Sequence, residues 1–485
     1  MMAIALIALI FVFALALGLL ARRGKKMDLE QWAVGRRGFG TAVIFLLMAG
    51  EIYTTFTFLG ASGYAYGLGA AAFYILAYEP LAYVLGYWVL PPICRYAKLH
   101  GLITQADFFA HRFASRELGI AVGLIGVVAM IPYLALQLEG LGLIVEVASG
   151  EAIRAHVAIL IGTAGLVAYV MASGIRASAW TAFMKDGLLL GIVVFLGVYL
   201  PLHAYGGIGP MFHRLAVTHP ELLTLHVPQG IVWFVSTVLV SALGFWMWPH
   251  AFAYIASACS ESVFRRNAAV LPLYQLLMLF ILLVGFAAIG IVPGLKNPDL
   301  ALLAASVAAL PGWVMGVVGG AGMLAALVPG SLLLIATATL LAKNGLALTP
   351  ALGTEPRIAF AARVLVVPVA IIAAAFAIFG SSGIVALLLL GYSYVVQLFP
   401  AIVLTFTVRR LVTTPGVFAG LACGVVLVTV LTLTHRHIVQ LLPFLPHSLA
   451  GLNDGIAALS VNIVALVLVS AVARGRLHAA DTEIA

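Results

Sequence analysis

Apolar residues run in long blocks along this chain, one after another from Met2 to about position 473, separated by short polar or glycine-rich joints. Blocks of about 18 or more apolar residues are long enough to cross a bilayer as helices. They lie near 2–21, 40–66, 69–95, 116–147, 153–174, 179–201, 229–258, 268–293, 312–343, 358–380, 383–408, 412–434 and 450–473. The weak period-2 alternation of a membrane barrel is absent. The pattern predicts an all-α polytopic membrane protein with 13 transmembrane helices. The longest joint, about 202–228, is too short to bury a core of its own, so residues 1–485 form a single membrane domain.

Several blocks are interrupted. The second holds Met48-Ala49-Gly50-Glu51-Ile52-Tyr53-Thr54-Thr55, the fourth Ile131-Pro132, the seventh Gly244-Phe245-Trp246-Met247-Trp248-Pro249-His250, and the ninth Pro329-Gly330. A carboxylate, a glycine and hydroxyls at membrane depth are tolerated where unwound backbone lines a cavity rather than facing lipid. Breaks in the second and seventh spans, five helices apart, fit two halves related by an inverted repeat, with a solute site between them.

Composition sharpens this picture. Of 485 residues, 64% are hydrophobic and 9% charged, and mean hydropathy is +1.16. The net charge of +8 need not mean nucleic acid. With the N-terminus outside, only Arg154, Arg214, Lys296 and Arg436 fall on the outer side; Lys185 lies within a span, and every other Lys and Arg is inside. That is the positive-inside bias of a bacterial-type inner (plasma) membrane protein with its C-terminus in the cytoplasm. The first block lacks a basic leader and is followed by Arg22, Arg23, Lys25 and Lys26, so it reads as a retained helix. Cys94, Cys259 and Cys423 show no metal spacing and read as packing residues. His203, His213, His219 and His226 share one joint at no metal spacing, which leaves a solvated surface or a pH-sensitive rim. Segment 96–115, with Lys98, His100, Asp107, Phe108, Phe109 and Arg112, reads as an interfacial helix on the cytoplasmic side.

Polar residues inside the spans are the candidate chemistry. A lipid-facing Glu51 would cost roughly 3 kcal/mol, so it must be protonated, paired or hydrated. It is either a coupling-ion site or a structural carboxylate. Tyr53, Thr54 and Thr55 follow on unwound backbone, where free N–H groups and the positive end of the next half-helix suit a substrate carboxylate. The alternative is hydroxyls bonded to their own helix. Lys185 and Asp186 are adjacent, about 100° apart on a helix, and need not pair. Lys185 either snorkels to the interface or sits desolvated, able to exchange a proton. Trp248 and His250 mark the second break. Gln137 and Glu139 are polar at depth beyond Pro132, and Glu79-Pro80 in span three is similar. Thr337 and Thr339 offer hard oxygens for sodium, or bond their own helix. No Walker A, H-E-x-x-H or G-x-S-x-G sequence supports an ATP-driven pump or an enzyme, and no arginine series suggests a voltage sensor.

The chain resembles the sodium:solute symporter family, specifically its monocarboxylate permease branch. The matching stretches are Trp32-Ala33-Val34-Gly35-Arg36-Arg37-Gly38-Phe39-Gly40, Gly50 through Thr57, Ile131 through Leu138, and Ser173-Gly174-Ile175-Arg176-Ala177 with Ala182-Phe183-Met184-Lys185-Asp186. Trp248-Pro249-His250, Arg265-Arg266-Asn267-Ala268 and Ala326-Leu327-Val328-Pro329 follow in order. The resemblance implies a LeuT-like core of two inverted five-helix repeats, about 40–201 and 229–408, with peripheral helices about 2–21, 412–434 and 450–473. It implies alternating access and a small monocarboxylate of the lactate, pyruvate or acetate type. It implies a sodium site near Met48, Glu51, Thr337 and Thr339, and no cofactor. Two departures bear on the ion. An alanine separates the two threonines, where many sodium-coupled members have adjacent hydroxyls. Trp180-Thr181 is followed by Ala182 where many have aspartate, and Lys185 comes one turn later. In related folds a lysine on the equivalent helix can stand where sodium would sit. The expectation is therefore a symporter whose coupling ion leans to H+ at Lys185, Asp186 and Glu51. Sodium-coupled uptake of another small solute, or a transporter-like sensor or channel, are the alternatives.

Overall fold

The computed structural model describes residues 2–22, 28–225, 230–345, 354–380, 382–407 and 412–483. The basic residues Arg23, Lys25, Lys26, Arg409 and Arg410, and His226, lie outside them. The described chain is helical throughout, with one isolated bridge. Among the described residues ten helices are long and apolar enough to span a membrane, and a bent pair makes an eleventh. The expected span near 40–66 is absent from that number as a separate helix because its second half runs on into the next. The span near 153–174 forms as the apolar helix Ala155–Ser173, which is not among the ten.

In chain order, α1 is Met2–Arg22, α2 Leu29–Val34, α3 Thr41–Gly50, α4 Ser62–Leu68, α5 Phe73–Leu99, α6 Gln105–Arg112, α7 Arg116–Ala148, α8 Ala155–Ser173 and α9 Ile175–Tyr205. Then come α10 Ile208–Thr218, α11 Ile231–Gly244, α12 Pro249–Ser257, α13 Ser262–Gln275, α14 Met278–Ile291, α15 Ala301–Ala309 and α16 Gly312–Leu340. The last are α17 Glu355–Phe379, α18 Ile384–Val395, α19 Phe399–Thr407, α20 Thr414–Thr434, α21 Ile438–Leu441 and α22 Asp454–Glu483.

Two spans are broken. Span two stops after α3, crosses Glu51–Thr54 as turns, and resumes through a wide π-type turn at Phe56–Ala61 into α4. Span seven stops after α11 and turns by 48° into α12 at Trp248, whose ψ of 138° is extended. Pro249 sits at the first position of α12, where its missing N–H costs no helix bond. The other two expected breaks do not form. α7 runs unbroken through Pro132, and α16 through Pro329. Neighbouring helices cover both prolines, so the local loss of one hydrogen bond is tolerated without unwinding.

The two broken spans meet at one end of the molecule. Phe39, just before α3, bridges the chain after α12: its N–H donates to Ser257 O at 3.0 Å, and its carbonyl accepts from Cys259 N at 2.9 Å. Around them, α16 is the central post, buried along nearly its whole length, while only a minor part of the apolar stretches of α1 and α22 is buried and both are peripheral. At the opposite end Gly69 reverses the chain between α4 and α5 with φ of +57°, and a Cβ there would strike Leu222 O. The segment 96–115, expected as one interfacial helix, is instead divided: residues 96–99 end α5, and Gln105–Arg112 form α6 with Phe108 and Phe109 buried. Thr104 and Asp107 close a capping box at the start of α6.

Candidate functional site

The break in span two leaves carbonyls without helix partners, and α9 supplies one. Lys185 is wholly buried, and its Nζ donates to Gly50 O and to Tyr53 O, both at 3.0 Å. Asp186 Oδ1 lies 3.0 Å from the same nitrogen, at ion-pair distance but without hydrogen-bond alignment. Lys185 therefore does not snorkel, and it does pair with its chain neighbour. An ammonium here meets two peptide carbonyls and lies at ion-pair distance from a carboxylate, which is how a buried cation is tolerated.

Glu51 turns the other way. Its Oε2 lies 2.7 Å from His250 Nε2 and 3.5 Å from the Tyr133 hydroxyl that donates to it. This contact joins the break in span two to the start of α12. Glu51 and His250 face a cavity with Phe56, Tyr78, Tyr133, Trp248, Tyr254 and Tyr392. The Trp248 ring packs against Tyr133 at 4.9 Å and Tyr392 at 5.3 Å. The free space is about 10 Å³, room for one water-sized sphere. Among the described residues two buried polar atoms of the cavity's wall residues lack hydrogen-bond partners, Glu51 Oε1 and His250 Nδ1, as do Thr55 Oγ1 and Gln137 Nε2 beyond the wall. A buried polar atom without a partner calls for an explanation, and a bound group is one.

The remaining expected residues fall as follows. Thr55 N–H donates to Gln137 Oε1 at 3.3 Å, and Thr54 N–H to Thr57 Oγ1 at 2.8 Å. The free amides expected at this half-helix start are thus already taken. Tyr53 points away from the cavity and donates to Tyr274 O at 3.1 Å. Met48 O accepts from Glu51 N–H at 3.2 Å. Thr337 bonds its own helix through Leu333 O at 2.8 Å. Thr339 has an unpartnered hydroxyl in a small pocket beside Thr104, Gln105 and Pro249. Neither threonine shares a pocket or hydrogen bond with Met48 or Glu51 among the described residues. Gln137 also borders a separate apolar cavity of about 230 Å³ between α1, α7, α8 and α16.

Both ends of the molecule carry charged contacts that the sequence did not single out as pairs. At one end Asp107 of α6 receives Lys343 at 2.5 Å and Asn344 at 3.0 Å, from the end of the α16 span. Burial opposes ionisation of Asp107, but Lys343 and the hydrogen bonds outweigh it and hold the carboxyl below its ordinary value. At the other end Asp299, in the loop before α15, accepts from Ile384 N–H at 3.1 Å and so caps α18. Burial pushes its carboxyl above the ordinary value, against the pull of that bond. Asp299 and Glu139 border a vestibule of about 600 Å³ with Lys296 and Tyr64.

Sequence reasoning missed Tyr78, Tyr254 and Tyr392 as cavity walls. An aromatic in an apolar run gives no sign of facing a cavity rather than lipid. The one available signal was Gly391 beside Tyr392: a Cβ there would meet the Trp248 ring.

The sodium:solute symporter family profile matches residues 32–424 of the chain. An uncharacterised symporter, YhjB, of Bacillus subtilis strain 168 is 50% identical over 486 residues, covering 99% of each chain. A monocarboxylate transport permease protein of Rhizobium johnstonii is 29% identical over 349 residues, covering 70% of each. Among solved structures, a substrate-bound, outward-open Na+-coupled sialic acid symporter superposes with a TM-score of 0.79 at 15% identity, covering 97% of this chain and 98% of that one. The last likeness establishes the shared fold.

Proposed function

The chain belongs to the sodium:solute symporter family, and on that premise we propose that it is a proton-coupled symporter importing a small monocarboxylate by alternating access. The observation that carries the proposal is the Lys185 ammonium set against Gly50 O and Tyr53 O, with Asp186 beside it. A cation that cannot leave occupies unwound carbonyls of the kind that would otherwise coordinate a mobile one. Protonated, Lys185 clamps the break in span two. Neutral, it loses the attraction to Asp186 and holds the carbonyls more weakly, freeing α3 and α4 to move relative to each other. Asp186, 3.0 Å away, is the nearest acceptor for the departing proton.

A carboxylate is supported by the Rhizobium johnstonii permease and by unpartnered polar atoms: the imidazole Nδ1 of His250 on the cavity wall, and Gln137 Nε2 and the Thr55 hydroxyl beyond it. Room for one water fits a closed state of the cycle, which must open by separating α12 from span two before a solute enters. In this reading the chain crosses the inner membrane 13 times, N-terminus outside, with core repeats at about 40–201 and 229–408. Sodium coupling is the second reading. It is favoured by the family itself and by the unpartnered Thr339 hydroxyl.

The test is uptake of labelled lactate, pyruvate and acetate into proteoliposomes. A proton gradient without sodium should drive accumulation of at least one. Acceleration by sodium at fixed pH, with no response to a proton gradient, would overturn proton coupling.

A further inference from the structure

Glu79 is the one carboxylate near the centre that the coupling scheme leaves unused. It lies on α5, is 1% exposed, and forms no ion pair among the described residues. Its Oε1 accepts from the Tyr78 hydroxyl at 3.1 Å, and its Oε2 has no partner. The titratable groups facing it are tyrosines: Tyr74, Tyr78 and Tyr83 on its own helix, and Tyr53, Tyr133 and Tyr392 on the elements packed around it. A buried carboxylate with one hydroxyl donor and no cation beside it is relieved of its charge by taking up a proton. Tyr78 is also a wall of the central cavity, together with Glu51 and His250. Tyr78 thus bonds the carboxylate through its hydroxyl and is itself part of the wall of the central cavity.

We propose that Glu79 is a second proton-binding site, loaded and emptied through Tyr78 when the cavity holds water. On loading, a hydronium in the cavity gives a proton to the Tyr78 oxygen as the Tyr78 O–H proton passes to Glu79 Oε1. One O–H bond forms and one breaks at the tyrosine, Tyr78 ends neutral, a water molecule is left, and Glu79 becomes neutral. Emptying runs the same steps backwards. Packing by the aromatic rings keeps water from Glu79 directly, so the tyrosine is the gate for the proton. The part Glu79 plays in coupling rests on the proton-symport reading; its protonation does not.

Infrared difference spectroscopy of the purified full chain tests the binding, with pH as the only variable. The wild type should show a protonated-carboxyl C=O band that appears and disappears with pH and is missing in Glu79→Gln. Superimposable spectra for the two proteins would overturn the proposal. Should Glu79→Gln fail to fold, Tyr78→Phe, which keeps the carboxyl, should shift that band by removing its hydrogen bond; an unmoved band is the contrary result. In proteoliposomes, the number of protons carried per solute should be one lower in Glu79→Gln. A lost band with an unchanged ratio would overturn the transport role of the site. Uptake driven by sodium alone in the wild type would defeat proton symport, and the infrared band would still report on Glu79 by itself.

Discussion

His250 Nε2 lies 2.7 Å from Glu51 Oε2, and this single contact ties the two interrupted helices together at the central cavity. Both side chains are nearly sealed from solvent. Removing one partner leaves the other buried without compensation, at a cost of about 3 kcal/mol. Glu51→Ala and His250→Ala should each lower the thermal midpoint. The double variant should be less destabilised than the sum, with a coupling of about 1–3 kcal/mol. Thermal unfolding of all four proteins in one detergent checks this; strict additivity would mean the pair is not formed.

Gly140 faces the start of the half-helix at Thr55 so closely that a Cβ on it would overlap the Thr55 methyl group. Gly140→Ala should push Thr55 aside, break its N–H bond to Gln137, and reduce uptake at least tenfold. Thr55→Ser removes that methyl group, so the pair Gly140→Ala, Thr55→Ser should recover most of the lost uptake. Initial-rate measurements at matched protein density decide it, and failure of the serine to rescue would contradict the packing argument.

Asp107 ties α6 to the end of the α16 span through Lys343. Its folded carboxyl titrates below its unfolded value, so the contribution is present above the unfolded value of about 3.9 and is lost as pH falls through the lower folded one. Asp107→Asn should therefore lower the thermal midpoint at pH 7, and the gap from the wild type should close as the solution is acidified below about pH 4. A gap that widens in acid would reverse the sign of this assignment.

Asp299 behaves oppositely. Its folded carboxyl titrates above its unfolded value, so its stabilising contribution is present at acid pH and lost as pH rises through the folded value. Asp299→Asn keeps an acceptor for Ile384 N–H and cannot ionise, so at neutral pH it should be as stable as the wild type or more so. Asp299→Ala loses the cap and should cost about 1 kcal/mol. Thermal midpoints of the three proteins at pH 7 test the order.

The sequence made the break in span two legible because Gly50, Glu51 and three hydroxyls crowd into a few positions that lipid would not tolerate. The break in span seven was legible from Pro249 and its tryptophans. Pro132 and Pro329 gave false signals: whether a proline unwinds a helix depends on what packs around it, which local sequence does not carry. Lys185 was visible as an anomaly, but its direction was not, since inward reach and snorkelling use the same side chain. The Glu51–His250 and Asp107–Lys343 contacts join residues 199 and 236 positions apart, and only the tertiary fold brings them together. Tyr78, Tyr254 and Tyr392 were hidden because cavity walls and lipid-facing surfaces are both aromatic.

The most direct measurement is transport by Lys185→Ala in proteoliposomes. Solute exchange across equal concentrations needs no net proton movement and should continue, which also shows that the variant is folded. Accumulation driven by a proton gradient should vanish. Undiminished proton-driven accumulation by Lys185→Ala would contradict the assignment of the coupling proton to Lys185.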